Sequence, residues 1–263
     1  MEQTKLPFTN KHFNAVHLSN TIINNDRYFY IGLTMKKLLI ILTMLAIVPI
    51  AFSQARKTYI VKAGEKIIEA LPVEARFLYP QFTIGTVNFK NNNVGTNLLN
   101  YNRLLDEIQF IDNKGDTLSL SEEPTVASIY IAKDTFYFYQ GYVRMIATIK
   151  NVKFGEKNVM VLSNRQKIGG LGELSSASID THVTLSTSQG MRDLVQKEQL
   201  TFAPYNTFYI GDKFNRFKVL NKKNLMNMYD KQEHEILAFL NEQSINLLKA
   251  EDVRKLIDFL KTL

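Results

Sequence analysis

From about Tyr59 to Val219, β-branched and aromatic residues alternate with polar ones in short runs, each closed by Asn, Gly or Asp. A period of two places successive side chains on opposite faces of an extended backbone, so the pattern commits most of the chain to strands. Thr83–Lys90 ends in Asn91, Asn92, Asn93 and Gly95, and Asp106–Ile111 meets a turn over Asp112–Asp116 before Thr117–Leu120. Such turn residues accept left-handed backbone, which joins antiparallel neighbours. Ala127–Lys133, Thr135–Tyr139, Tyr142–Lys150, Asn158–Leu162, Ala177–Leu185, Leu194–Phe202, Thr207–Ile210 and Phe214–Val219 extend the series.

A helical period is confined to the end of the chain. Leu225, Met228 and Tyr229, then Ile236, Phe239 and Leu240, then Val253, Leu256, Ile257 and Leu260 recur at three- and four-residue intervals. The spacing predicts a pair of short amphipathic helices with a bend over Ser244–Leu248. The expected fold is mainly β: an antiparallel twisted sheet, sandwich or partly open barrel over residues 54–220, with the helical segment 221–263 packed on it.

Met35–Gln54 reads MKKLLIILTMLAIVPIAFSQ. Two lysines, an apolar stretch of about thirteen residues and small residues before Gln54 are the parts of a secretory signal peptide, and the stretch is short of the roughly twenty residues a spanning helix needs. Residues 35–53 are therefore expected to be removed. Residues 1–34 carry neither periodicity nor a capped apolar run, and translation from Met35 is expected to leave them out as an upstream extension without ordered structure.

Composition removes several chemistries. The chain has 32 Lys and Arg against 25 Asp and Glu; five of the former and two of the latter precede Gln54, leaving +4 on the remainder. That charge is interspersed, and without a basic run it gives no footprint for nucleic acid. Cysteine is absent, so disulfides, thiolate metal sites and a lipid-modified cysteine are excluded. Only His182 and His234 follow Gln54, and neither a metal site nor a cofactor is expected.

No catalytic motif stands out. Lys167–Ser178 (KIGGLGELSSAS) is rich in glycine and serine, yet it lacks the ending of a phosphate loop and the elbow of a serine hydrolase. Glu233, His234 and Glu235 are adjacent on a predicted helix, where side chains diverge, and Asp106 and Glu107 face opposite sides of a predicted strand. The remaining candidates for a ligand or partner are Tyr137, Tyr139 and Tyr142 in the aromatic run DTFYFYQGY, and Asn100, Tyr101 and Asn102 in LLNYNRLL, where both asparagines also read as turn formers. On a strand, Phe136 and Phe138 point one way and Tyr137 and Tyr139 the other.

The segments Val87–Leu120, Asp134–Gly141 and Asn224–Leu260 resemble, in the same order, uncharacterised exported proteins of Bacteroidota-type bacteria that carry a leader ending at Ser-Gln. The resemblance implies export and a shared fold, and no activity. The expected function is thus that of an exported envelope protein, periplasmic or extracellular, binding a protein partner or an apolar or sugar ligand without catalysis. The competing expectation is a hydrolase of an envelope polymer whose carboxylates meet only in the fold. An assembly component would instead expose an apolar patch or a bare sheet edge.

Overall fold

A computed structural model of the chain describes residues 57–121, 123–168, 174–183 and 197–263. The leader-like segment 35–53 and the stretch before it lie outside these residues, as does the glycine-rich run 169–173.

Among the described residues, twelve strands form one antiparallel sheet. They are β1 Tyr59–Val61, β2 Thr83–Phe89, β3 Val94–Asn102, β4 Glu107–Ile111, β5 Thr117–Ser119, β6 Val126–Ile131, β7 Asp134–Phe138, β8 Tyr142–Ile149, β9 Val152–Ile168, β10 Leu174–Val183, β11 Gln199–Gly211 and β12 Phe217–Val219. The order is β1-β11-β9-β8-β7-β6-β2-β3-β4-β5, with β10 paired to β9 and β12 to β11. The fold is mainly β as expected, and the sheet is open, with short strands β1 and β5 ending the order. Two single-turn helices, α1 (Ile67–Ala70) and α2 (Val73–Arg76), follow β1. Three more, α3 (Lys222–Met226), α4 (Glu233–Glu242) and α5 (Ala250–Leu260), close the chain after β12.

The differences from the pattern are local. Residues 94–102, read as carrying turn formers, are strand β3, which pairs with both β2 and β4. Asn158–Leu162 is the middle of the 17-residue β9, and the two runs on either side of Pro204 are one strand, β11. Proline is tolerated there because β1 covers only Leu200–Phe202 and β12 only Tyr209–Gly211 on that edge, so no ladder bond is asked of residue 204 on that side.

Alternate residues of β9 enter different cores, which is why its middle reads as a continuous apolar run. Val159 and Val161 join Val87, Leu99, Tyr101, Ile129 and Phe136, whereas Met160 and Leu162 join Val61, Ile67, Leu104 and Phe202. A third cluster docks the helices: Ile236, Leu240, Val253, Leu256, Ile257 and Leu260 pack against Ile149, Phe154, Phe208 and Ile210 of the sheet. The α4–α5 contact is closed by Phe239 stacked on Phe259, ring centroids 4.1 Å apart. Ser244, at the predicted bend, has φ 49°.

Candidate functional site

The helices leave a cleft where α5 begins beside β9 and β11. It encloses about 570 Å³ and is lined on the sheet side by Asn158, Pro204, Tyr205 and Asn206, and on the helix side by Leu248, Lys249, Glu251 and Arg254. A smaller cleft of about 180 Å³, lined by Arg144, Met145, Glu156 and Phe208, shares Ala250 and Arg254 with it. Packing explains the opening. The apolar stripe of α5 is buried through Val253, Leu256 and Ile257, which turns its polar residues to the rim.

The cleft wall is held from behind. Asn158 donates through Nδ2 to Asn206 Oδ1, tying β9 to β11 at their shared register. Arg103 reaches the same point, its Nε 3.4 Å from the Asn158 carbonyl, and burial holds its guanidinium below the ordinary value. Asn158 Oδ1 is buried without a hydrogen-bond partner. Arg254, by contrast, is exposed and makes no ion pair among the described residues.

The floor of the smaller cleft carries a charged row. Arg144 donates to Asp134 Oδ1 at 3.4 Å and to Glu156 Oε1, and the Tyr79 hydroxyl donates to Asp134 Oδ2 at 2.7 Å. Burial, reinforced by that bond to Asp134, holds the Tyr79 phenol well above its ordinary 10.0. Two carboxylates thus converge on one guanidinium. Three strands supply them, since Phe136 of β7 pairs Arg144 of β8, which pairs Glu156 of β9.

The six residues singled out in the sequence fall into two groups. Asn100, Tyr101, Asn102 and Tyr142 are all at least nine-tenths buried. Asn100 brackets the backbone of Tyr79. Asn102 Oδ1 accepts from the N–H groups of Leu104 and Leu105, so it does form the turn it was read as forming, from the last position of β3. Tyr101 and Tyr142 line the central core, and both attend a buried carboxylate: the Tyr101 hydroxyl donates to Asp106 Oδ1 at 2.7 Å and the Tyr142 N–H at 3.0 Å.

Tyr137 and Tyr139 are half-buried and stand on the opposite side of β7 from Phe136 and Phe138, as strand alternation requires. Both contact Phe217, with centroids 6.0 and 6.2 Å away, and Tyr139 meets Tyr209 edge-on at 6.0 Å. Lys153 Nζ lies 4.3 Å from the Tyr137 ring centroid. Burial raises the Tyr209 phenol to about 12.

Other singled-out carboxylates are structural. Glu107 accepts from Ser119 Oγ at 2.6 Å across β4 and β5, and Glu233 and Glu235 occupy the first turn of α4, where the helix dipole favours negative charge. Among the described residues no group of three acidic or histidine side chains could hold a metal, and no helix is long and apolar enough to cross a membrane. His182 and the Ser175–Ser178 stretch fall in β10, described by its backbone alone.

Sequence spacing could not have found the cleft, because its lining comes from three segments far apart in the chain. Compared with known protein families, curated proteins and solved structures, the chain matches none of them.

Proposed function

We propose that the chain is an exported envelope protein that binds a polar ligand, of the sugar class, in the cleft between β9, β11 and α5. The leader-like segment 35–53 supports export, and the cleft carries the binding reading. Amides from Asn158 and Asn206, the Pro204 ring and the charged ends of Lys249, Glu251 and Arg254 surround one opening. That is a mixture of apolar surface and convergent polar groups suited to a polyhydroxylated ligand. A free cation at the rim adds affinity for an acidic sugar.

Hydrolysis of an envelope polymer is the second reading, favoured by Asp134 and Glu156 meeting at Arg144. It requires one of the two to deliver a proton, whereas both accept hydrogen bonds from the same guanidinium. Mild crosslinking of the tagged protein in its native envelope, followed by identification of its first peptide and of the captured material, tests the proposal. A first residue of Gln54 with bound envelope glycan supports it. A first peptide that includes residues before Met35, on protein retained in the cytoplasm, removes it.

A further inference from the structure

Asp106 and Lys157 face each other inside the sheet. Asp106 closes the β3–β4 turn with φ 54°, Lys157 stands on β9, and the amine lies 3.3 Å from carboxyl oxygen Oδ2. Both side chains are more than nine-tenths buried. We propose that Lys157 and Asp106 condense without an enzyme to form an amide bond, a covalent staple between the β3–β4 turn and β9.

The surroundings are those that such a reaction needs. Nitrogen addition to Cγ places negative charge on Oδ1, and Oδ1 already accepts from the Tyr101 hydroxyl and the Tyr142 N–H. Two fixed donors in a site shielded from water stabilise that charge without reorganisation. The amine is oriented by its bond to the Gln140 carbonyl. Holding the two groups at contact distance replaces an encounter in solution and supplies the proximity part of the barrier to amide formation.

Gly141 leaves room for the reaction. A Cβ on that residue, at φ 103°, would lie 2.5 Å from Asp106 Cγ and 2.8 Å from Lys157 Nζ, so any larger side chain would occupy the space where they meet. Burial acts on the protonation states as well. It raises the Asp106 carboxyl above its ordinary value and lowers the Lys157 amine below its own, and both shifts favour the neutral acid and neutral amine that react.

The step balances without a co-reactant. The neutral nitrogen gives its lone pair to Cγ as the carbonyl electrons move to Oδ1. One nitrogen proton passes to Oδ2, which already carries the carboxyl proton. Oδ2 then leaves as water while the Oδ1 electrons restore the double bond, and one acid and one amine have become one amide. The link closes a 51-residue separation in a chain with no cysteine to do so. Crosslinks over long loops stabilise chiefly by restricting the unfolded chain.

Tryptic digestion of the folded protein with mass spectrometry tests the proposal. Cleavage at Arg103, Lys114, Lys153 and Arg165 should release a branched peptide joining Leu104–Lys114 to Phe154–Arg165, lighter than their sum by one water and uncut after Lys157. Lys157→Arg should abolish it. Asp106→Asn should give the same branched product, now by loss of ammonia. Linear Leu104–Lys114 together with cleavage after Lys157 in the folded, unsubstituted protein overturns the proposal, whether or not either variant folds.

Discussion

Asn100 and Tyr79 bond each other in both directions: the Tyr79 N–H donates to Asn100 Oδ1 at 3.2 Å, and Asn100 Nδ2 donates to the Tyr79 carbonyl at 3.0 Å. One side chain thereby does for residue 79 what a neighbouring strand would do. Asn100→Ala strands a backbone donor and acceptor at once, and the expected loss is about 2 to 3 kcal/mol in urea unfolding. Asn97→Ala on the same strand, at an exposed position, should stay within about 0.5 kcal/mol.

The Gly141 position predicts a larger penalty from a smaller change. Adding one methyl forces an alanine into left-handed backbone and pushes it onto the Asp106 carboxyl. Gly141→Ala should cost roughly 3 kcal/mol or more, read as a lowered unfolding midpoint. Gly115→Ala is the control, since φ is 89° there but nothing lies within 4 Å of a Cβ, so only the backbone cost remains.

Leu256 is fully buried where α5 meets the sheet. Leu256→Ala should lower stability by about 2 to 5 kcal/mol, and the unfolding should remain one transition seen equally by near- and far-ultraviolet circular dichroism. A separate early loss of helix would show that the C-terminal segment does not share the sheet's cooperativity.

Asp252 gives the acid limb of the stability curve. Its carboxylate accepts from the Asn246 N–H at 3.1 Å, the leading cause, and from Lys255 Nζ at 3.2 Å, which together hold its pKa below 3.8. A carboxyl depressed in the folded state stabilises above its unfolded value, and the contribution disappears as pH falls through the folded value. Thermal midpoints of the unsubstituted protein should therefore drop below pH 3.8 more steeply than those of Asp252→Asn.

Much of the architecture is legible in the sequence because strand and helix periods differ and the described helices longer than one or two turns follow β12, whereas the single-turn helices at 67–76 are too short to show a period and are not anticipated by it. What is hidden is where tertiary contacts overrule local chemistry. Residues 94–102 contain three asparagines, a residue type depleted in strands, but Asn100 is satisfied by Tyr79 and Asn102 by the turn that follows. Pro204 breaks a strand pattern on paper and not in the fold, since the edge it faces there is unpaired.

The candidate site is hidden for the same reason. Tyr137 and Tyr139 are readable as one face of a strand, yet their neighbours Phe217 and Lys153 come from β12 and β9. Arg254 looks like any solvated helix charge until α5 is laid beside Asn206. Likewise, Asp106 and Lys157 give no sign of each other at their separation in the chain.

The binding reading is tested most directly by calorimetric titration of acidic and neutral oligosaccharides from the envelope into the protein and into an Asn206→Ala, Arg254→Ala double variant, with folding of both checked by circular dichroism. The account predicts saturable binding by the unsubstituted protein, weakened about tenfold or more by the double substitution, with the sugar recovered intact. Equal affinity in the two proteins, or cleavage of the sugar by the unsubstituted one, would contradict it.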